Sequence, residues 1–164
     1  MTDDQLKAEF RDVMASVCTP VSIASAMDGE RPHGTTVSAF ASLSMTPPMV
    51  LVSLDRGSDL LGIVSRTGRF SLNVLAAEQS ELALAFARKG DAKFADVRWS
   101  VDRRTPRIDG VTGWLCCRVA DIVEGGDHLI VLGEVEAASN HPGAPLTYHA
   151  RVFGTHHAHA GATS

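Results

Sequence analysis

The segment that decides the fold is Leu115-Cys116-Cys117-Arg118-Val119-Ala120-Asp121-Ile122-Val123, then Glu124-Gly125-Gly126-Asp127-His128, then Leu129-Ile130-Val131-Leu132-Gly133-Glu134-Val135. Two apolar runs are separated by a short cluster of turn formers, which is the pattern of an antiparallel hairpin. The same grammar recurs upstream. Pro20 to Met27 reads as a strand that turns at Asp28-Gly29 and returns through His33-Gly34-Thr35-Thr36-Val37. Met49 to Leu54 is a buried strand entered through Pro47 and Pro48, and Phe70, Leu72, Val74 and Leu75 form another. Downstream, Leu146 to Phe153 is a last strand.

Helices are short and peripheral. Leu6, Phe10, Val13, Met14 and Val17 share one face of an N-terminal helix capped by Thr2 or Asp3. Ser58 caps a helix over Leu60, Leu61, Ile63 and Val64 that Gly68 ends, and Ser80 opens another over Leu82, Leu84, Ala85 and Phe86. Arg88 and Lys89 suit the negative end of its dipole. The charged stretch from Phe94 to Gly113, with Arg103, Arg104, Pro106 and Arg107, is expected to be an exposed connection ending in a strand. Six or seven strands joined by hairpin-length turns fit a mainly β chain, a small closed or split barrel. A doubly wound sheet would need longer crossover helices.

Composition narrows the function. With 164 residues the chain is one domain, expected at 1–155, followed by a flexible tail at 156–164 that carries His156, His157 and His159. Lysine and arginine number 15 against 19 aspartates and glutamates, a net charge of -4; a phosphate-backbone binder needs a basic face, so nucleic acid and an anionic membrane are expected to be poor partners. No apolar run approaches the ~20 residues of a membrane helix, and the acidic start at Asp3 and Asp4 is not a secretory signal. The expected location is cytoplasmic. Cys18, Cys116 and Cys117 are an odd set containing sequence neighbours, so a disulfide framework is not expected, and Cys116 and Cys117 are read as core. The tail histidines have no acidic or thiol partner at metal-site spacing, and no metal is assigned.

Two segments stand out chemically. Gly34 to Ser44 carries a hydroxyl at Thr35, Thr36, Ser38, Ser42 and Ser44. Such a run suits either the wet face of a half-exposed strand or a cradle for a phosphate or the polar edge of a heterocycle. Gly126-Asp127-His128 sets an acid and an imidazole at a hairpin mouth, as a plain polar turn or as a site for proton traffic near neutral pH. Dinucleotide-fold, P-loop and nucleophile-elbow motifs are missing from the sequence.

Taken in order, Phe10-Arg11, Gly34 to Phe40, Ser42 to Pro48, Gly68 to Leu75, Phe86-Ala87, Lys93-Phe94, Leu115 to Val119, Gly126-Asp127-His128 and Leu132 to Val135 resemble the short-chain flavin reductase family. Its members are the small NAD(P)H:flavin oxidoreductase components of two-component monooxygenases, and the likeness spans nearly the whole chain. The resemblance implies an FMN-binding, Greek-key split β-barrel, a homodimer, and reduction of FMN or FAD by NADH or NADPH. It places the flavin against Thr35, Thr36, Val37, Ser38 and Ala39, then Ser42 and Ser44, with a second contact region at Ser53, Leu54, Asp55, Arg56 and Ser58. Lys93 and Phe94 belong to the same set. Arg56 is the expected phosphate ligand, and His128 with Asp127 the nicotinamide side. Thr35, where relatives often carry an apolar residue, and Ala39, where they often carry a hydroxyl, depart from the family pattern.

The function implied is delivery of reduced flavin to a separate oxygenase. A non-catalytic flavin-binding or storage protein is the alternative on the same fold, since a fold alone does not establish turnover. An oxidase of the pyridoxamine-phosphate type would need a basic phosphate clamp that the sequence does not show.

Overall fold

The structure, a computed structural model, describes residues 1–161. The last three positions of the expected tail, 162–164, lie outside the described residues. In chain order the first elements are α1 (Asp3–Ala15), β1 (Thr19–Pro20), β2 (Ser22–Asp28), β3 (Arg31–Val37), β4 (Phe40–Met45), β5 (Pro48–Asp55), α2 (Asp59–Thr67) and β6 (Arg69–Val74). They are followed by α3 (Ser80–Ala87), β7 (Trp99–Asp102), β8 (Thr105–Ile108), β9 (Gly113–Gly125), β10 (His128–Asn140), β11 (Leu146–His149) and β12 (Val152–Thr155).

Seven strands form one antiparallel sheet in the order β3-β2-β6-β9-β10-β5-β4. Its two edge strands, β3 and β4, are consecutive in the chain and are joined only by Ser38 and Ala39. The sheet must therefore curl until its first and last strands approach. The β4–β5 ladder runs on to the connection itself, where the Ser53 N–H donates to the Ala39 carbonyl at 2.9 Å, and β3 comes into contact with β5 on the other side. The result is a barrel split along one seam, in agreement with the expected mainly β architecture.

Cys116 and Cys117 show how two cores are built on one sheet. Successive side chains of a strand point to opposite faces. Cys117 packs with Ala24, Val52, Phe70, Leu72 and Val131, a core closed by Leu60, Leu61, Ile63 and Val64 of α2. Cys116 packs with Ile23, Phe86, Phe94, Ile108, Trp114 and Leu146 on the other face. β2, buried from Ser22 to Ala26, separates the two.

The stretch from Phe94 to Gly113 departs from the expected exposed connection. It forms the β7–β8 hairpin, and Phe94, Thr105, Ile108 and Val111 are buried. A buried polar seam holds it down: the Ile108 N–H donates to Asn73 Oδ1 at 2.8 Å, and the Ser71 hydroxyl donates to the Pro106 carbonyl at 2.6 Å. Arg107, expected to be solvated, stands 4.9 Å from the centre of the Trp114 ring and bonds Asp102 and Ser139. The expected single strand from Leu146 to Phe153 is a hairpin, reversed by Ala150 and Arg151 at φ of 50° and 64°. Helix α1 has the expected cap, a reciprocal Thr2–Gln5 capping box, yet none of its residues is buried.

Candidate functional site

The seam is where the singled-out residues meet. Beyond Val37 the chain leaves the ladder for two residues, and no backbone hydrogen bond among the described residues uses the Ser38 or Ala39 N–H. Across the seam stands the end of β5. At the barrel's rim His128, the first residue of β10, pairs with Asp55. Thr35, Thr36, Val37, Ser38, Ala39, Ser53, Leu54, Asp55, Ser58 and His128 together line a cleft of about 240 Å³. Side chains do not all face it. Thr36 donates its hydroxyl to the Ala83 carbonyl of α3 at 2.6 Å, and Leu54 is buried in the core. Their contribution is backbone.

A larger recess of about 510 Å³ continues from Thr35, Asp55 and Ser58 toward Lys93. Sequence reasoning left out His33, Asp59, Arg88 and Lys89, which also line it. The first two are neighbours of singled-out residues, and the last two were assigned only to a helix end. The Lys93 ammonium donates to the Gly34 and Phe86 carbonyls at 3.0 and 2.9 Å, and burial lowers its pKa against the raising influence of Asp59. Ser58 stands at the N-cap of α2, but its hydroxyl makes no cap bond. It remains available to a ligand beside the unpaired N–H groups of the helix start.

Other expected residues lie elsewhere. Ser42 and Ser44 pair with Val50 and Met49, at the far end of β5 from the cleft. At ~3.4 Å per residue, Ser42 has travelled roughly 10 Å along β4 from Ala39. Phe94 is packed edge-on against Phe86 and Trp99 in the outer core, with ring centroids 4.8 and 5.4 Å apart. Arg56 turns away from the cleft, and its Nε donates to the Gly126 carbonyl at 2.7 Å. Asp127 is on the surface, where its Oδ1 lies 2.8 Å from His128 Nδ1. Hydrogen bonding from His128 holds the Asp127 carboxyl below its ordinary range; a carboxylate can only accept, so Nδ1 is the donor of the pair, and no hydrogen bond among the described residues uses Nε2.

A polar, hydroxyl- and N–H-lined cleft of this shape, with a second recess fringed by cations, fits a flat heterocycle carrying a phosphate. The donor set is suited to holding and orienting a flavin.

The family model described as "Flavin reductase like domain" matches residues 14–157, and the chain belongs to that family. The reductase component of a 4-nitrophenol 4-monooxygenase/4-nitrocatechol 2-monooxygenase from Rhodococcus opacus is 40% identical over 148 residues, covering 90% of this chain and 80% of that protein. The NADH-dependent FMN reductase SmoA of Agrobacterium fabrum is 37% identical over 146 residues, covering 88% and 83%. Among solved structures, the NADH:FAD oxidoreductase SgcE6 of Streptomyces globisporus C-1027, in complex with NAD and FAD fragments, superposes with a TM-score of 0.89. It is 28% identical, and the match covers 99% of both chains.

Proposed function

We propose that the chain is a NADH-dependent flavin reductase that supplies reduced FMN or FAD to a separate monooxygenase. The observation that carries this reading is the convergence of Ser38, Ala39, Ser53, Ser58 and His128 at the barrel seam, within the fold of a reductase family. A flavin held there would supply the hydride acceptor for a reduced nicotinamide. The chain's own part is positional. The Ser38 and Ala39 N–H groups and the Ser53 hydroxyl serve the polar edge of the ring, and the Ser58 hydroxyl at the start of α2 serves the phosphate. Lys93, fixed by two carbonyls, adds positive charge to the recess beyond. His128, with Nδ1 held by Asp127, presents Nε2 to the carboxamide of the nicotinamide. Aligning two rings for direct hydride transfer accounts for rate without a protein base.

The test is to mix purified protein with NADH and excess FMN or FAD and follow nicotinamide absorbance. Consumption that scales with flavin supports the reading. Binding of flavin with no consumption of NADH or NADPH above the protein-free rate gives the storage reading instead.

The working unit proposed is a homodimer of residues 1–155, in the cytoplasm, where NADH and an oxygenase partner meet. Helix α1 supports it. Its face of Leu6, Phe10, Val13 and Met14 is between 46% and 62% exposed, Val17, which the structure places just beyond the helix, is 44% exposed, and Tyr148 and Val152 add to the body's exposed apolar surface. A 13-residue helix is marginal without packing, and a second copy of the same face covers it symmetrically. The chain has no helix long and apolar enough to cross a membrane among the described residues.

A further inference from the structure

We infer that Arg56 is a positioning residue for the nicotinamide side of the reaction: it locks the Gly126–Asp127 peptide and thereby fixes where His128 faces. The inference rests on the nicotinamide role given to His128 above.

The turn between β9 and β10 has Gly126 and Asp127 as its central residues, because Gly125 pairs directly with His128. Gly126 has φ of 76°, and Asp127 is not among the residues with positive φ. Those are the signs of a type II′ turn, with glycine in the first central position. A type I′ turn spans the same strands and differs by a flip of the peptide between the two central residues. It requires positive φ at Asp127, and aspartate tolerates that conformation better than most side chains. Turn chemistry alone therefore leaves two states within reach.

Arg56 chooses between them. Its Nε–H donates at 2.7 Å to the carbonyl of Gly126, which belongs to the very peptide that would flip. Its backbone N–H donates at 3.1 Å to the next carbonyl, that of Asp127. One residue at the end of β5 thus grips two successive carbonyls of the turn. Downstream, the Asp127 carboxylate accepts from His128 Nδ1 at 2.8 Å. Flipping the peptide reverses φ at Asp127 and swings its Cα–Cβ direction away from the imidazole. The companion ion pair from Arg56 to Glu124, 3.5 Å long with side chains 44% and 84% exposed, contributes little, so the bond to the Gly126 carbonyl is the restraint. Arg56 itself does not line the cleft and acts through His128.

The test pairs kinetics with a readout of the turn. In Arg56→Ala we expect the KM for NADH to rise about 5- to 10-fold while the KM for flavin changes less than about 2-fold, as for loss of one hydrogen bond on one substrate's side. In a His128→Ala background the same substitution should add less than about 2-fold, because its effect passes through the imidazole. Independently, the Asp127 amide of Arg56→Ala should show microsecond-to-millisecond exchange in nitrogen relaxation dispersion, absent in the wild type. A quiet Asp127 amide in Arg56→Ala overturns the restraint. An exchanging amide with unchanged NADH kinetics, or a weakened flavin site instead, overturns its link to the nicotinamide. A wild-type protein inert toward NADH overturns the reading beneath and the inference with it.

Discussion

Asp127 is fully at the surface, and its carboxyl is nevertheless held below its ordinary value by the bond from His128. A group with a depressed folded pKa keeps its partner above its unfolded value and loses it as pH falls through the folded one. The pair is therefore intact at neutral pH and is lost as pH falls through the carboxyl's lowered value. We expect His128→Ala to lower kcat/KM for NADH by about 10- to 100-fold, with a much smaller change in flavin affinity, because no bond-breaking base is lost. Steady-state kinetics and flavin fluorescence quenching, side by side, check the split. Cys117 is the opposite case, a thiol pushed up to about 12 chiefly by burial. At pH 8 roughly one part in ten thousand is thiolate, the reactive form. Only Cys18 is exposed, so a chromogenic disulfide reagent should titrate a single thiol in the native protein and three after denaturation. Residue identity was the least legible level for side-chain direction. Thr35 to Ala39 and Ser53 to Ser58 could be found because a cleft lined by backbone is contiguous in sequence. Arg56 and Phe94 lie in or near the same motifs, but which way a side chain points depends on neighbours distant in the chain, Gly126 for one and Trp99 for the other.

Strand β10 is shaped by what it lacks. A Cβ built on Gly133 would stand 2.5 Å from Phe70 Cζ and 3.0 Å from Cys117 Cβ, so the bare backbone makes room for a ring in the barrel core. The pairing with β9 shifts register on the same side, between Leu132 and Gly133. Gly133→Ala should lower stability by about 1–3 kcal/mol, since Phe70 is buried and would have to shift to admit the methyl. Thermal denaturation should show a fall of roughly 3–10 °C. At this scale the sequence was legible wherever a run alternates or a turn former interrupts it, as at β5, β6 and the α2 terminator Gly68, which sits at φ of 69°. It was not legible at β7–β8. There the charges Arg103, Arg104 and Arg107 masked a hairpin whose burial comes from Thr105 and Ile108, held by Asn73 of another strand. Ala150 and Arg151 hid a turn for a similar reason: nothing in their side chains announces positive φ.

For the whole molecule, α1 is the unresolved account of the monomer, a capped helix whose apolar face meets no core. If a second copy covers it, replacing Phe10, at 62% exposure, with glutamate should not cost the barrel its stability but should separate the dimer. Light scattering on Phe10→Glu is expected to report half the wild-type mass, with an unchanged circular dichroism spectrum. A wild type that is already monomeric removes this part of the picture. The amphipathic spacing of α1 was plain in the sequence, whereas its lack of an internal partner was not, because a periodic face says that it must be covered and not by what.

The seam between β3 and β4 has a thermodynamic side. A ligand seated across it bridges the strands that the ladder leaves apart, so occupancy and barrel closure share one free energy. Such a ligand stabilises the native state by RT ln(1 + [L]/Kd), about 2.7 kcal/mol at one hundred times Kd. The melting temperature should therefore climb with the logarithm of added flavin, and the curve measures affinity without any turnover. The apoprotein is correspondingly the looser form, so amide protons of Val37 to Phe40 and of Ser53 should exchange faster in it than in the flavin-saturated protein. If flavin sits at the seam, each release of reduced flavin is expected to leave the staves eased until the next one binds.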